Sequence, residues 1–465
     1  MVPHQQLVQR HLPRNFTCML LDGITAVGGF SALGIASIMP GMIHEVALRC
    51  PQLKPYENRI ATALMVCFFG LSSVSGFLLG GQDEHKTHRK RPFIVLAFTS
   101  RLSFPLLVLT VFFMERLGYQ LFVWLFLGSL TWWALVNGVL MPQWFDYVGR
   151  LIPVNRRGIL FGLRDALGTV LGIAVIAAFP WLSERYAFPY NYGVLYAMGA
   201  VLLWASFVTW LPLKEIPYRQ DELKPCEPFL ASLRKTLAIF KEDHAYRRLL
   251  IAMSVVSLGT LASLSLYTLK AINELAMTEI ARARFVSLAG IVNISLYALA
   301  LPVFGLLADR FGYKRIAFVS YSLLVLSFVV AVAAGTHNVF LVAIGVAGVV
   351  KGGAVLVNIN FPLEFVPENR RPSYMRLKAL FSMPVIVAPF VGGWLADRYG
   401  YNLVFVLPGV LVVVGLVLFG VTITDPRREA LFSARTQILP PAAGRRSVPL
   451  APVCSCPCDD ADGIT

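Results

Sequence analysis

The sequence predicts an all-α membrane protein of twelve transmembrane helices in two pseudo-symmetric six-helix bundles. Hydrophobic residues make up 57% of the 465 positions and charged residues 14%, against roughly 45–50% and 25% in soluble domains. Apolar runs of about 20 residues, the length that crosses about 30 Å of hydrocarbon, recur from end to end. A polar segment near the middle divides them six and six.

In the first half the runs lie near residues 18–41, 59–80, 92–114, 120–148, 158–183 and 190–213. The first is too long for the core of a signal peptide, and no small-residue cleavage site follows it, so it is read as a retained helix. These runs make residues 1–213 an N-terminal six-helix bundle. Residues 214–248 form a linker in which Leu230, Leu233, Leu237 and Phe240 recur at three- and four-residue spacing, with Arg234, Lys235 and Lys241 between them. That is a basic amphipathic helix, suited to lying on the inner leaflet or simply to tethering the halves. Six more runs, near 249–272, 283–308, 316–334, 339–365, 377–396 and 402–423, make residues 249–425 the C-terminal bundle. Residues 426–465 are rich in Pro, Ala, Ser and Arg without an apolar period, and are expected to be a disordered tail.

The formal charge of +15 is explained by topology. With the N-terminus inside, about 30 of the 41 Lys and Arg fall in cytoplasmic segments, which is the positive-inside pattern, and both termini and the linker are expected to be cytoplasmic. No basic face interleaved with aromatics suggests nucleic acid. Four of the seven cysteines are scattered and imply no disulfide framework. Cys454, Cys456 and Cys458 have no histidine partners, so neither a metal site nor a cofactor is expected. No phosphate-binding Gly–Lys–Ser loop, hydrolase nucleophile elbow or helical zinc motif is present, and the chain is not expected to be an enzyme.

Between the eighth and ninth runs the chain reads GLLADRFGYKRIAF, from Gly305 to Phe318. Gly305 suits close helix approach, Asp309 offers a carboxylate to a helix N-terminus, Gly312 permits a tight turn, and Arg310 and Lys314 add positive charge. A second copy, LADRYGY from Leu395 to Tyr401, matches LADRFGY from Leu307 to Tyr313 at six of seven positions. One copy faces inward and the other outward, as an inverted repeat of three helices plus three requires. The loop between the second and third runs, GGQDEHKTHRKR, keeps the basic residues but has Thr87 where a turn glycine is expected.

These segments resemble the Major Facilitator Superfamily. RLIPVNRRGILFGLR from Arg150 to Arg164, PENRRPSYMRL from Pro367 to Leu377 and GGWLADRYGYNLVF from Gly392 to Phe405 are similar to a bacterial branch of it, with substrate unassigned. The resemblance implies a permease of a bacterial inner membrane, moving a small organic solute by alternating access, with the proton as coupling ion. Oligomeric state is open, a monomer being compatible. The fifth run has no Gly-Pro pair and the fourth no arginine of the kind found in proton-coupled drug antiporters, which disfavours that class. The alternative is a facilitator-fold protein that has become a membrane assembly or sensor component.

Among the ionisable groups within the runs, Asp22, Arg101, Arg164, Asp165 and Lys351 qualify as intramembrane charges, each costing roughly 2.5–3.5 kcal/mol near the membrane centre on insertion scales. The resemblance places the first, fourth, seventh and tenth helices around the central cavity, so Asp22 and Lys351 are the candidates for substrate or coupling, and Arg101 for structure. Asp146 and Arg164 are expected to form a structural ion pair. In the fourth run, Trp133, Asn137, Met141 and Trp144 share a face suited to an amphipathic substrate. In the seventh, Ser257, Thr260, Ser263 and Tyr267 form a polar stripe. In the tenth, Asn358 lies seven residues from Lys351, on its face.

Overall fold

The computed structural model describes residues 4–79, 86–218, 229–262, 264–275, 277–366 and 371–423. The chain divides into two compact units, Met1–Ile423 and Thr424–Thr465. The second unit, which contains the tail and its cysteines, lies outside the described residues, as do residues 80–85 of the segment from Gly80 to Arg91.

The described residues are helical throughout, without a strand, because backbone N–H and C=O groups in hydrocarbon must find partners within their own segment. The first pass runs from His4 to Leu33, turns at Gly34 and continues from Ile38 to Arg49. The second comprises Glu57–Met65, a π-helical turn Val66–Gly70, and Leu71–Leu79. The third and fourth are Lys90–Phe112 and Tyr119–Leu151, the fifth Val154–Ala177 with Phe179–Arg185, and the sixth Tyr190–Trp210. After the linker helix Phe229–Glu242, the eighth to twelfth are Glu279–Phe311, Tyr313–Ala333, His337–Asn360, Arg371–Tyr399 and Tyr401–Thr422.

Eleven of these helices are long and apolar enough to cross a membrane. The seventh pass is the exception, being broken into His244–Ser257, a 3-10 turn Leu258–Leu261 and Leu264–Glu274. Ser257, Gly259, Thr260 and Ser263 crowd this stretch with weak helix formers. Irregular backbone at membrane depth persists only where protein covers it or a cavity faces it.

Gly312 and Gly400 end the eighth and eleventh passes with φ of 84° and 85° and extended ψ, a region that other residues enter at a cost of about 1–3 kcal/mol. A Cβ on Gly138 would meet the carbonyl oxygen of Ser72 at 2.0 Å, so the second and fourth passes touch backbone to backbone. Exposed Leu, Val and Trp side chains cover the outside of the bundle, a surface whose solvent is lipid.

The linker helix packs in part against the C-terminal bundle. Phe240 stacks on Phe381 of the eleventh pass with ring centroids 4.7 Å apart, while Thr236 and Ile239 are buried. Of the apolar stripe read there, Phe240 is thus engaged by protein while Leu237 is exposed.

Candidate functional site

A cavity of about 400 Å³ opens beside the broken seventh pass. Val256, Ser257, Gly259, Ala262, Leu264 and Tyr267 line one wall, and Met65, just before the π-helical turn of the second pass, and Gly70, its last residue, line another. Lys351 and Asn358 both face it from the tenth pass, as their seven-residue spacing anticipates. Lys351 lies about 21 Å from the start of its helix and about 14 Å from its end, near mid-depth. It is exposed, and the surface it is exposed to is the cavity wall. Its ammonium stands 4.8 Å from the centre of the Tyr297 ring and makes no hydrogen bond or ion pair with the described residues.

A narrower extension is lined by Ser254, Asn358, Lys378, Phe381 and Ser382. There Lys378 donates to the backbone carbonyl of Asn358, and the Tyr321 hydroxyl reaches the Asn358 side chain. Lys378 and Tyr321 were not anticipated. Lys378 stands at the start of its apolar run, where a lysine reads as an interfacial residue. Of the polar stripe on the seventh pass, Ser257 and Tyr267 line the cavity. Ser263 lies outside the described residues, and the stripe is not continuous because the helix is broken.

The first-half candidates lie elsewhere. Asp22 is 2% exposed and accepts a 2.6 Å hydrogen bond from Ser206 of the sixth pass, which Arg101 of the third approaches at 3.4 Å. The reason is helix rotation. Asp22 shares a face with Gly29, seven residues on, and Gly29 lies against Gly199 and Leu203 of the sixth pass. That face looks into the first bundle rather than toward the cavity. Arg101 is buried beside Trp210, 5.1 Å from its ring centre, in keeping with a structural role. Trp133 stacks on Phe68 at 4.1 Å and meets Phe30 at 5.4 Å, with Asn137 buried behind it. Those residues belong to the bundle core.

The expected ion pair of Asp146 and Arg164 is not formed. Asp146 is five residues before the end of its helix, and Arg164 ten residues into the next, so they sit at levels about 7–8 Å apart. Asp146 instead pairs with Arg89 at 2.9 Å and accepts from Tyr218. Burial and this carboxylate push the Tyr218 phenol above its ordinary pKa. Arg164 pairs with its neighbour Asp165 at 3.3 Å and lies over Trp144 at 4.8 Å.

In the repeated motif, Gly312 makes the turn assigned to it, while Asp309 and Arg310 are exposed and Lys314 donates to the Ile423 carbonyl after the twelfth pass. Gly305 has nothing within 4 Å of its Cβ position. It sits among exposed Val303, Leu306 and Leu307, on a lipid-facing side, so the close approach expected there is absent.

The second copy of the motif is engaged through Asp397 and Tyr401. Asp397 accepts from the backbone N–H groups of Asn58 and Arg59, at 3.2 and 3.3 Å, and from Arg59 Nε at 2.8 Å. A carboxylate of the second half thus caps the free N–H groups that open the second pass of the first. Tyr401 donates to Asn58 at 3.0 Å. Nearby, Arg282 donates to Glu45 at 2.6 and 2.9 Å, and Lys54 to Asn273 at 2.9 Å. Arg284, near the start of the eighth pass, pairs at 2.8 Å with Glu184 at the end of the fifth. Glu184–Arg185 is a further acid–arginine pair, passed over in the sequence because no turn glycine follows it. Together these contacts join the two halves at the end where Asp397 lies.

Residues 255–452 match the Major Facilitator Superfamily. No curated protein matches the chain. Among solved structures, the nucleoside transporter NupG aligns with a TM-score of 0.61 at 13% identity, over 87% of this chain and 98% of that one. The xylose transporter XylE from E. coli, in a partially occluded inward-open conformation, aligns with a TM-score of 0.59 at 14% identity, over 90% and 99%. A POT family transporter in complex with a thioalcohol-conjugated peptide gives 0.60 at 13%, over 91% and 96%. The second half of the chain thus matches the Major Facilitator Superfamily, and the whole membrane part, with eleven helices long and apolar enough to cross a membrane among the described residues, has the fold of these transporters.

Proposed function

We propose that the protein is a secondary active transporter that moves a small organic solute across a bacterial inner membrane by alternating access, with the proton as coupling ion. The observation that carries this reading is the mid-depth cavity beside the interrupted seventh pass. Broken helices and irregular backbone at mid-depth are where transporters of this kind bind their solutes. The contacts joining the halves around Asp397 close what the basic-residue count assigns as the outer end. Asp309, in the inverted copy, is the proposed counterpart gate at the inner end, acting on the start of the fifth pass. Asp22 is the proposed proton carrier, as a buried carboxylate held by Ser206 within reach of the charges of Arg101 and Arg164.

The test is reconstitution. Solutes that raise the melting temperature of the purified protein are loaded into proteoliposomes, and counterflow is measured with and without an imposed proton gradient. Exchange without a gradient, accelerated or made concentrative by one, is expected. Binding without any flux would support an assembly or sensor protein instead.

A further inference from the structure

We infer that the cavity is an anion site, and that its occupant is a small organic anion with an apolar body. This deepens the transport reading, on which its physiological role rests.

The described residues lining the cavity and its extension include two lysines, Lys351 and Lys378, and no aspartate or glutamate. Neither lysine forms an ion pair with an acid among the described residues. Lys351 contacts only the face of the Tyr297 ring, and Lys378 is held by a backbone carbonyl, a neutral acceptor. Lys378 binds the Asn358 carbonyl, and Lys351 stands two turns away from Asn358 on the same helix face, so the cavity and its extension, which share Asn358, each carry a positive charge. Asp165 is the acid that acts on Tyr297 from the fifth pass, but its carboxylate is engaged by Arg164 and forms no ion pair with Lys351. An ammonium kept at mid-depth without a counter-charge is costly unless a ligand supplies one.

The rest of the wall sets the body of the ligand. Met65, Val256, Leu324, Ile386 and Pro389 provide apolar surface, while Tyr321, Asn358 and Ser382 offer polar groups beside the lysines. A volume near 400 Å³ is at the low end for sites of small organic ligands. A carboxylate or phosphate head on the lysines with an apolar remainder toward Met65 and Ile386 fits both the charge and the shape.

The test uses the purified full-length protein at low ionic strength, with benzoate, benzyl alcohol and benzylamine as probes of similar shape and different charge, and succinate and inorganic phosphate as further anions. At least one anion is expected to raise the melting temperature, while benzyl alcohol and benzylamine do not. Lys351→Gln and Lys378→Gln are each expected to weaken that anion at least tenfold, and Lys351→Arg to retain it. An unliganded melt like that of the parent protein shows that each variant is folded. The inference is overturned if neutral or cationic probes stabilise as well as the anions, if no anion binds, or if anion binding survives both glutamine variants. It is also overturned if Asp165→Asn removes the effect of Lys351→Gln, which would make the lysine a counter-charge for Asp165. An anion that binds but never crosses in counterflow would reject transport and leave the site standing. A neutral solute that crosses, with no anion bound, would do the reverse.

Discussion

Asp22 and Lys351 are the same kind of signal in the sequence, a lone charge in an apolar run, yet they occupy different surroundings. Asp22 is enclosed by Ser206 and the arginines of its own bundle, whereas Lys351 faces open volume. Burial of an ionisable group was legible because it costs several kcal/mol and so rarely lacks a reason. Direction was not, since a side chain's azimuth depends on which neighbour its helix meets. If Asp22 carries the proton, Asp22→Asn is expected to abolish gradient-driven uptake and leave counterflow intact. Loss of both activities, or of neither, would assign Asp22 to structure alone. A lowered melting temperature is expected in either case, because Arg101 would keep only Ser206 and Trp210 as partners.

At the scale of elements, one sequence device serves two ends of the molecule. Asp397 holds the opening N–H groups of the second pass and with them the outer closure. Asp309 is proposed to hold the fifth pass in the opposite state. A carboxylate at a helix N-terminus is worth roughly 0.3–1 kcal/mol, and up to about 2 when partly buried, enough to move a two-state population several-fold. Asp397→Asn is therefore expected to shift the protein toward the outward-open state and Asp309→Asn toward the inward-open one. Cysteines replacing Lys54 and Asn273 should cross-link only with the outer end closed, and cysteines replacing Asp309 and Gly158 only with the inner end closed. The first pair should lose cross-linking in Asp397→Asn. If both pairs ignore these substitutions, the repeated motif is a folding signal and not a gate.

For the whole molecule, the two bundles are joined at one end by ion pairs between residues 100 or more positions apart, such as Glu45 with Arg282. In the proposed alternating-access cycle, these contacts are the ones that break and re-form as one half rocks against the other. That cycle requires both halves to have the same orientation. Reporter fusions at Lys224 and at the C-terminus are expected to behave as cytoplasmic markers in both cases, and a periplasmic signal from either would break the twelve-helix topology.

The sequence by itself determined the solvent of the chain, the number and length of its passes, the turn glycines Gly312 and Gly400, and the inverted repeat. Each of these depends on local quantities: hydrophobicity summed over about 20 residues, basic residues counted between runs, and a backbone conformation that one residue type tolerates. Only the tertiary structure decided that the seventh pass breaks, that Asp22 turns inward to Ser206, that Asp146 prefers Arg89 to Arg164, and that Lys378 reaches the Asn358 carbonyl beside the cavity that Lys351 faces. Those outcomes depend on helix rotation and depth relative to distant neighbours. A shift of one residue turns a side chain by about 100° around its helix, and the apolar patterns of these helices, hydrophobic on nearly every face, leave that rotation to be set by packing.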